Sequence, residues 1–103
     1  MNFIPEKIQY DAEHEIFWTR VGYSAQRKQA TALFGVTKAY LYELFKQPVG
    51  SELNVRLMNM WLKIAMRDAT KEIPAVQGEE IYRKMYASTP DEIQKGLQFL
   101  NTR

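Results

Sequence analysis

The stretch of residues 27–47, RKQATALFGVTKAYLYELFKQ, most restricts what this chain can fold into. Apolar residues recur at three- and four-residue spacings on both sides of Gly35 and Val36. This pattern predicts two short helices joined by a tight turn. Glycine adopts positive φ without steric cost, which suits Gly35 to that turn. Ser24 and Thr37 are good N-cap residues for the two helices.

The second of these helices has two distinct faces at 100° per residue. One face is apolar and is expected to pack on the core; it carries Tyr40, Leu41, Leu44 and Phe45. The opposite face is polar and partly basic; it carries Lys38, Tyr42 and Lys46, with Ala39 and Glu43 beside them. Such an outer face predicts a helix that enters the major groove of DNA.

The stretch resembles the helix-turn-helix of phage and plasmid repressors of the Cro and repressor class. Five residues match the family pattern in place, and they are Gly35, Val36, Thr37, Leu41 and Leu44. One position departs, because Thr31 stands where the family usually has alanine, although threonine is also small. The resemblance implies a helix-turn-helix unit at 24–47 within an all-α fold. It further implies a sequence-specific transcriptional regulator of phage, prophage or plasmid type that binds double-stranded DNA.

This reading assigns roles to particular side chains. The residues expected to read base edges are Thr37, Lys38, Ala39, Tyr42 and Glu43. The residues expected to hold phosphates are Arg20, Arg27, Lys28 and Lys46. Lysine can donate to guanine, and a glutamate can accept a hydrogen bond from cytosine.

The distribution of charge favours the same region. The whole chain carries only +2, which is uninformative. Residues 1–19 have one basic and four acidic side chains, whereas residues 20–50 have five basic and one acidic, a net charge of +4. Residues 51–103 are nearly balanced, with eight basic and seven acidic side chains. A local positive excess is the expected footprint of phosphate binding, although solvated helix faces also carry Lys and Arg.

Length and composition predict a single domain spanning residues 1–103. A chain of 103 residues with 46% hydrophobic residues can bury a modest core. It has no cysteine, which excludes disulfides and thiolate metal sites. The opening residues lack the pattern of a signal peptide, and no apolar run reaches the roughly 20 residues of a membrane span. We therefore expect a cytoplasmic protein that does not bind a membrane.

The residue pattern of the remainder of the chain predicts helices and no convincing strand. The predicted further helices cover residues 11–22, 51–70, 78–87 and 90–101, which gives an all-α domain of five to six helices. Ser51 is the expected N-cap of the long helix. Thr89 is the expected N-cap of the last helix, with Pro90 in the first turn and Glu92 completing a capping box.

The long helix 51–70 is apolar over about two-thirds of its circumference, more than a surface helix needs. Its polar remainder consists of Arg56, Asn59, Lys63 and Arg67. Two interpretations stay open: the helix is central to its own domain, or it shares one face with a second copy. The second interpretation predicts a homodimer, with Met58, Leu62 and Met66 at the interface.

The sequence gives little support for catalysis or for a cofactor. His14 is the only histidine, and it lies between Glu13 and Glu15 without a second ligand at helical spacing. No phosphate-binding loop, nucleophile motif, metal-ligand cluster or small-molecule site is evident. Two alternatives to a regulator remain. One is a protein-binding adaptor, such as a phage protein that captures a host factor through the long helix, Tyr82 and Tyr86; the other is a DNA-packaging or replication accessory protein.

Overall fold

The structure, a computed structural model, describes residues 1–25, 27–48, 55–75 and 81–103. Along these residues four strands come first, followed by two helices, a fifth strand and a third helix. In chain order they are β1 (Asn2–Pro5), β2 (Gln9–Asp11), β3 (Ile16–Ala25), β4 (Lys28–Thr37), α1 (Lys38–Leu44), α2 (Val55–Glu72), a 3₁₀ turn (Ile73–Ala75), β5 (Tyr82–Tyr86) and α3 (Pro90–Asn101). The fold is therefore mixed α/β.

The prediction of an all-α domain is wrong, and so is the first half of the predicted helix-turn-helix. Residues 28–37 form a ten-residue strand where a helix was expected, and Ser24 lies in β3 instead of capping a helix. The predicted helix 11–22 is a turn followed by β3. The reason lies in the run Ala32–Val36, because five consecutive buried residues fit a central strand covered on both faces as well as they fit a helix.

The sheet has five strands among the described residues, in the order β1-β3-β4-β5, with β2 also paired to β3. The antiparallel hairpin of β3 and β4 is its longest ladder, running from Ile16 opposite Thr37 to Ala25 opposite Lys28. β5 joins β4 in parallel. A parallel pair requires a crossover, which here contains both α1 and α2.

The two faces of the sheet hold two separate cores. On one face, α1 and α2 cover a large apolar cluster that includes Phe17, Val21, Phe34, Leu41 and Trp61. On the other face, the shorter α3 covers a smaller cluster formed by Ile16, Leu33, Met85, Phe99 and Leu100. Alternate residues of β4 thus point into different cores, which is why the strand has no polar side.

The outcomes for the predicted helices differ. Helix 90–101 is confirmed as α3, with Thr89 as N-cap accepting from the backbone N–H of Glu92 at 3.2 Å. The Thr89 hydroxyl in turn donates to the Glu92 carboxylate. Thr37 caps α1 as predicted. The helix predicted at 78–87 is wrong, since residues 82–86 form β5, and Ser51 falls outside the described residues.

Two glycines allow α3 and the sheet to close around Met85. A Cβ atom placed on Gly96 would lie 2.4–2.6 Å from the Met85 side chain, and one on Gly35 would lie 2.9 Å from its sulfur. Gly35 was expected to form a turn, but it lies within β4. Its function in the fold is close approach between a strand and a side chain, with no need for positive φ.

We predict that Gly96→Ala destabilises the domain despite the better helix propensity of alanine. The added methyl overlaps the Met85 side chain and must push α3 away from the sheet, which should lower the free energy of unfolding by about 1–3 kcal/mol. Denaturant titration with circular dichroism measures this.

The matched control is Gly22→Ala, whose added methyl would meet nothing closer than the Ile4 carbonyl oxygen at 3.8 Å. In the double variant Gly96→Ala with Met85→Ala, the loss should be smaller than the sum of the two single losses, because Met85→Ala removes the overlap. A Gly96→Ala variant as stable as the wild type would refute the role given to this contact.

Candidate nucleic-acid interface

The helix expected to read bases, α1, has only seven residues, and most of its side chains make contacts within the fold. Tyr42, expected at its outer face, is completely buried in the larger core. Lys38 lies over the Tyr42 ring, with the Nζ atom 5.9 Å from the ring centroid. Thr37 accepts the capping hydrogen bond from Tyr40, and Glu43 accepts from the Ser88 hydroxyl. Of the five predicted base readers, only Ala39 and Glu43 are well exposed.

The cations expected to hold phosphates are scattered. Arg27 and Lys28 lie at the turn between β3 and β4, whereas Lys46 follows α1 beyond the far end of β4. A ten-residue strand separates these two groups by about 30 Å. Arg20 donates to the backbone carbonyl of Arg103 at 3.0 Å, beside the end of α3. The positive excess of residues 20–50 therefore does not form one patch.

The residues expected at a dimer interface contribute to the monomer core. Met58 and Leu62 are buried in the cluster between α2 and the sheet, and the half-buried Met66 packs against it. Trp61 is buried in the same cluster. Tyr82 is also buried there and Tyr86 packs against it, so these aromatic residues do not form a free contact surface.

The outer arc of α2 carries a cluster of exposed cations. At 100° per residue, seven exposed residues fall within about 120° of the helix circumference. We call this surface the α2 arc; it consists of Arg56, Asn59, Met60, Lys63, Arg67, Thr70 and Lys71. It contains four cations and no carboxylate, and it extends about 22 Å along the helix axis.

The two carboxylates of α2 lie outside this arc, held by side chains of β5. Tyr86 donates a hydrogen bond to Asp68 at 2.8 Å. Tyr82 donates to the Glu72 carboxylate, which also accepts from the Nζ atom of Lys84 at 2.9 Å. These bonds turn both acidic groups toward the sheet edge. An exposed Arg67–Asp68 contact of 3.7 Å links the arc to one of these acids.

The same contacts shift the titration of the groups involved. The hydrogen bond from Tyr82, followed by that from Lys84, lowers the pKa of the Glu72 carboxyl. Burial, and then the bond to Glu72, raises the pKa of the Tyr82 phenol. Burial and the bond to Asp68 raise the pKa of Tyr86 in the same way. At neutral pH the Glu72 carboxyl is thus ionised and both phenols are protonated, so each phenol can donate its hydrogen bond.

Sequence reasoning identified Arg56, Asn59, Lys63 and Arg67 as the polar remainder of the long helix, but it did not assign them a function. The signal was present in their spacing, since all four lie within one arc. It was missed because the net charge of residues 51–103 is only +1. That sum counts Asp68 and Glu72 equally with the cations, although they face elsewhere.

The described residues contain no group of three or more His, Asp or Glu side chains placed to hold a metal ion. No helix among them has both the length and the apolar character to cross a membrane.

We predict that Glu72→Gln makes the free energy of unfolding depend less on pH below neutrality. Because the folded pKa of Glu72 is below 4.5, this group stabilises the fold above that pH. The contribution is lost as pH falls through the lowered value. Replacement with glutamine removes this pH-dependent contribution of the carboxyl, so the free energy of unfolding should decline less from neutral pH to about pH 3.

Urea titrations across this pH range measure the effect, with Glu13→Gln as a control at an exposed turn position. A Glu72→Gln variant whose profile parallels that of the wild type would contradict the assignment.

Comparison of the chain with protein-family models, with curated proteins and with solved structures finds no match. The function is therefore argued from the α2 arc itself.

Proposed function

We propose that this protein binds duplex DNA through the α2 arc. The observation that carries the proposal is the separation of charge on one helix: four cations face outward, while both acids are hydrogen-bonded toward β5. Phosphate contacts supply most of the affinity of such interfaces. The proposal keeps DNA as the partner expected from the sequence and moves the contact from residues 27–47 to α2.

The dimensions of the arc suit a duplex. Its four cations are spread over about 22 Å, which corresponds to six or seven base pairs at about 3.4 Å each. An α-helix also fits the major groove of B-DNA, which is about 12 Å wide. Cations on both sides of the arc's midline would then lie near the two phosphate backbones that border the groove.

A duplex is favoured over a single strand because the arc lacks an aromatic side chain. Proteins that bind single strands stack bases on exposed aromatic rings. Trp61 is completely buried, and the Trp18 ring lies under the Arg103 guanidinium, 5.7 Å from its centroid. Tyr82 and Tyr86 are engaged with the α2 acids. The α2 arc thus offers charge and hydrogen bonding without a stacking platform.

The test is the double variant Lys63→Ala with Arg67→Ala, titrated against a short duplex by fluorescence anisotropy at several salt concentrations. Loss of two exposed cations should weaken binding roughly tenfold. The slope of log K against log salt should become shallower by about 0.9 for each lost phosphate contact. Circular dichroism checks that the variant is folded, because substitution of these two exposed side chains should not disturb the fold.

Two matched variants control for charge. Lys7→Ala with Lys95→Ala removes the same net charge from exposed positions outside α2 and should leave affinity nearly unchanged. Arg27→Ala with Lys28→Ala tests the phosphate role first predicted for the hairpin turn. If this variant alone loses binding, the α2 arc is not the interface. Equal or tighter binding of a single strand would refute the choice of a duplex.

A further inference from the structure

The α2 arc contains one apolar residue that the fold does not require. Met60 is 39% exposed, although the other large apolar residues in the middle of α2 are buried or half-buried. By helix geometry it lies within about 40° of the centre of the arc, between the axial positions of Arg56 and Lys63. An exposed thioether surrounded by cations gains nothing from the core on the opposite side of α2.

Its neighbour Asn59 carries the only side-chain amide of the arc. The two residues are adjacent along the helix axis and about 100° apart around it, with Arg56, Lys63 and Arg67 at angles between theirs. The cations on α2 can hold phosphates on any sequence. Asn59 and Met60 instead have the chemistry that distinguishes one base pair from another in the major groove.

We propose that Asn59 and Met60 are specificity-determining residues that together read an A·T base pair. The Asn59 amide would bond to N6 and N7 of adenine, and the Met60 side chain would contact the thymine methyl group. A G·C pair has no methyl group, and guanine presents the acceptor O6 where adenine has the N6 amino donor. This inference rests on the proposed function, because it requires the α2 arc to lie in the major groove.

The experiment uses base analogues that change only the major-groove edge. An alternating A·T duplex is compared with one in which every thymine is replaced by uracil, which removes the methyl group. We expect the wild type to bind the uracil duplex roughly fourfold more weakly, corresponding to one buried methyl group. Met60→Ala should bind both duplexes equally.

Asn59 is tested in the same way with 7-deazaadenine, which lacks the N7 acceptor. The wild type should lose roughly tenfold in affinity on this substitution, and Asn59→Ala should not respond to it. Val55→Ala is the matched control for Met60, because Val55 is 61% exposed on the same helix but lies outside the arc. It should retain the wild-type response to uracil.

The outcomes separate this inference from the proposed function. If the wild type binds thymine and uracil duplexes equally and ignores 7-deazaadenine, base readout by Asn59 and Met60 is overturned. The loss of binding in the Lys63 and Arg67 double variant would still support the proposed function. If that double variant binds normally, the proposed function itself fails. A Met60→Ala variant that responds to uracil like the wild type overturns the role of Met60 alone.

Discussion

The fold depends on burial of β4 from both sides. Its residues Ala32–Val36 are almost completely inaccessible to solvent, with alternate side chains pointing into two different cores. A strand placed in this way needs a neighbour at each edge and a helical layer on each face. β3 and β5 supply the edges, and the helices supply the layers. The crossover between β4 and β5 then fixes α2 across one face, where its outer side remains open to solvent.

α2 serves two purposes that follow from its periodicity. Its inner face contributes Leu57, Met58, Trp61, Leu62 and Ala65 to the larger core. Its outer face carries cations that no core requires. Asp68 and Glu72 lie outside the outer face, and β5 determines where their charges point. The helix carries four cations and two carboxylates, and helical periodicity places the two signs on different sides, where hydrogen bonds from β5 hold the carboxylates.

The phenol–carboxylate contacts also connect the proposed function to stability. Tyr82 and Tyr86 fix the α2 acids while packing in or against the same core as Trp61. The edge strand β5 and the helix α2 are thus joined by packing and by charge-assisted hydrogen bonds from phenol donors to carboxylate acceptors. Substitutions that destabilise β5 would free the Asp68 and Glu72 carboxylates near the α2 arc. The positive electrostatic potential of the arc would then fall, even if the substituted residue does not contact a ligand.

The local sequence by itself determined α3, from Thr89 to Asn101, and the cap at Thr37, because capping involves residues within one turn. It also determined that α2 is a long helix whose polar residues share one arc.

Only the tertiary structure decided that residues 28–37 form a strand, since a short apolar run has the same local signature in a buried strand and a buried helix. Likewise, Tyr42 looked like an outward residue by helical spacing, yet the sheet and α2 enclose it completely. The tertiary structure also decided that Tyr86 and Tyr82 of β5 hold Asp68 and Glu72, which lie 18 and 10 residues away along the chain. No local pattern encodes such contacts, because they arise when β5 returns beside β4.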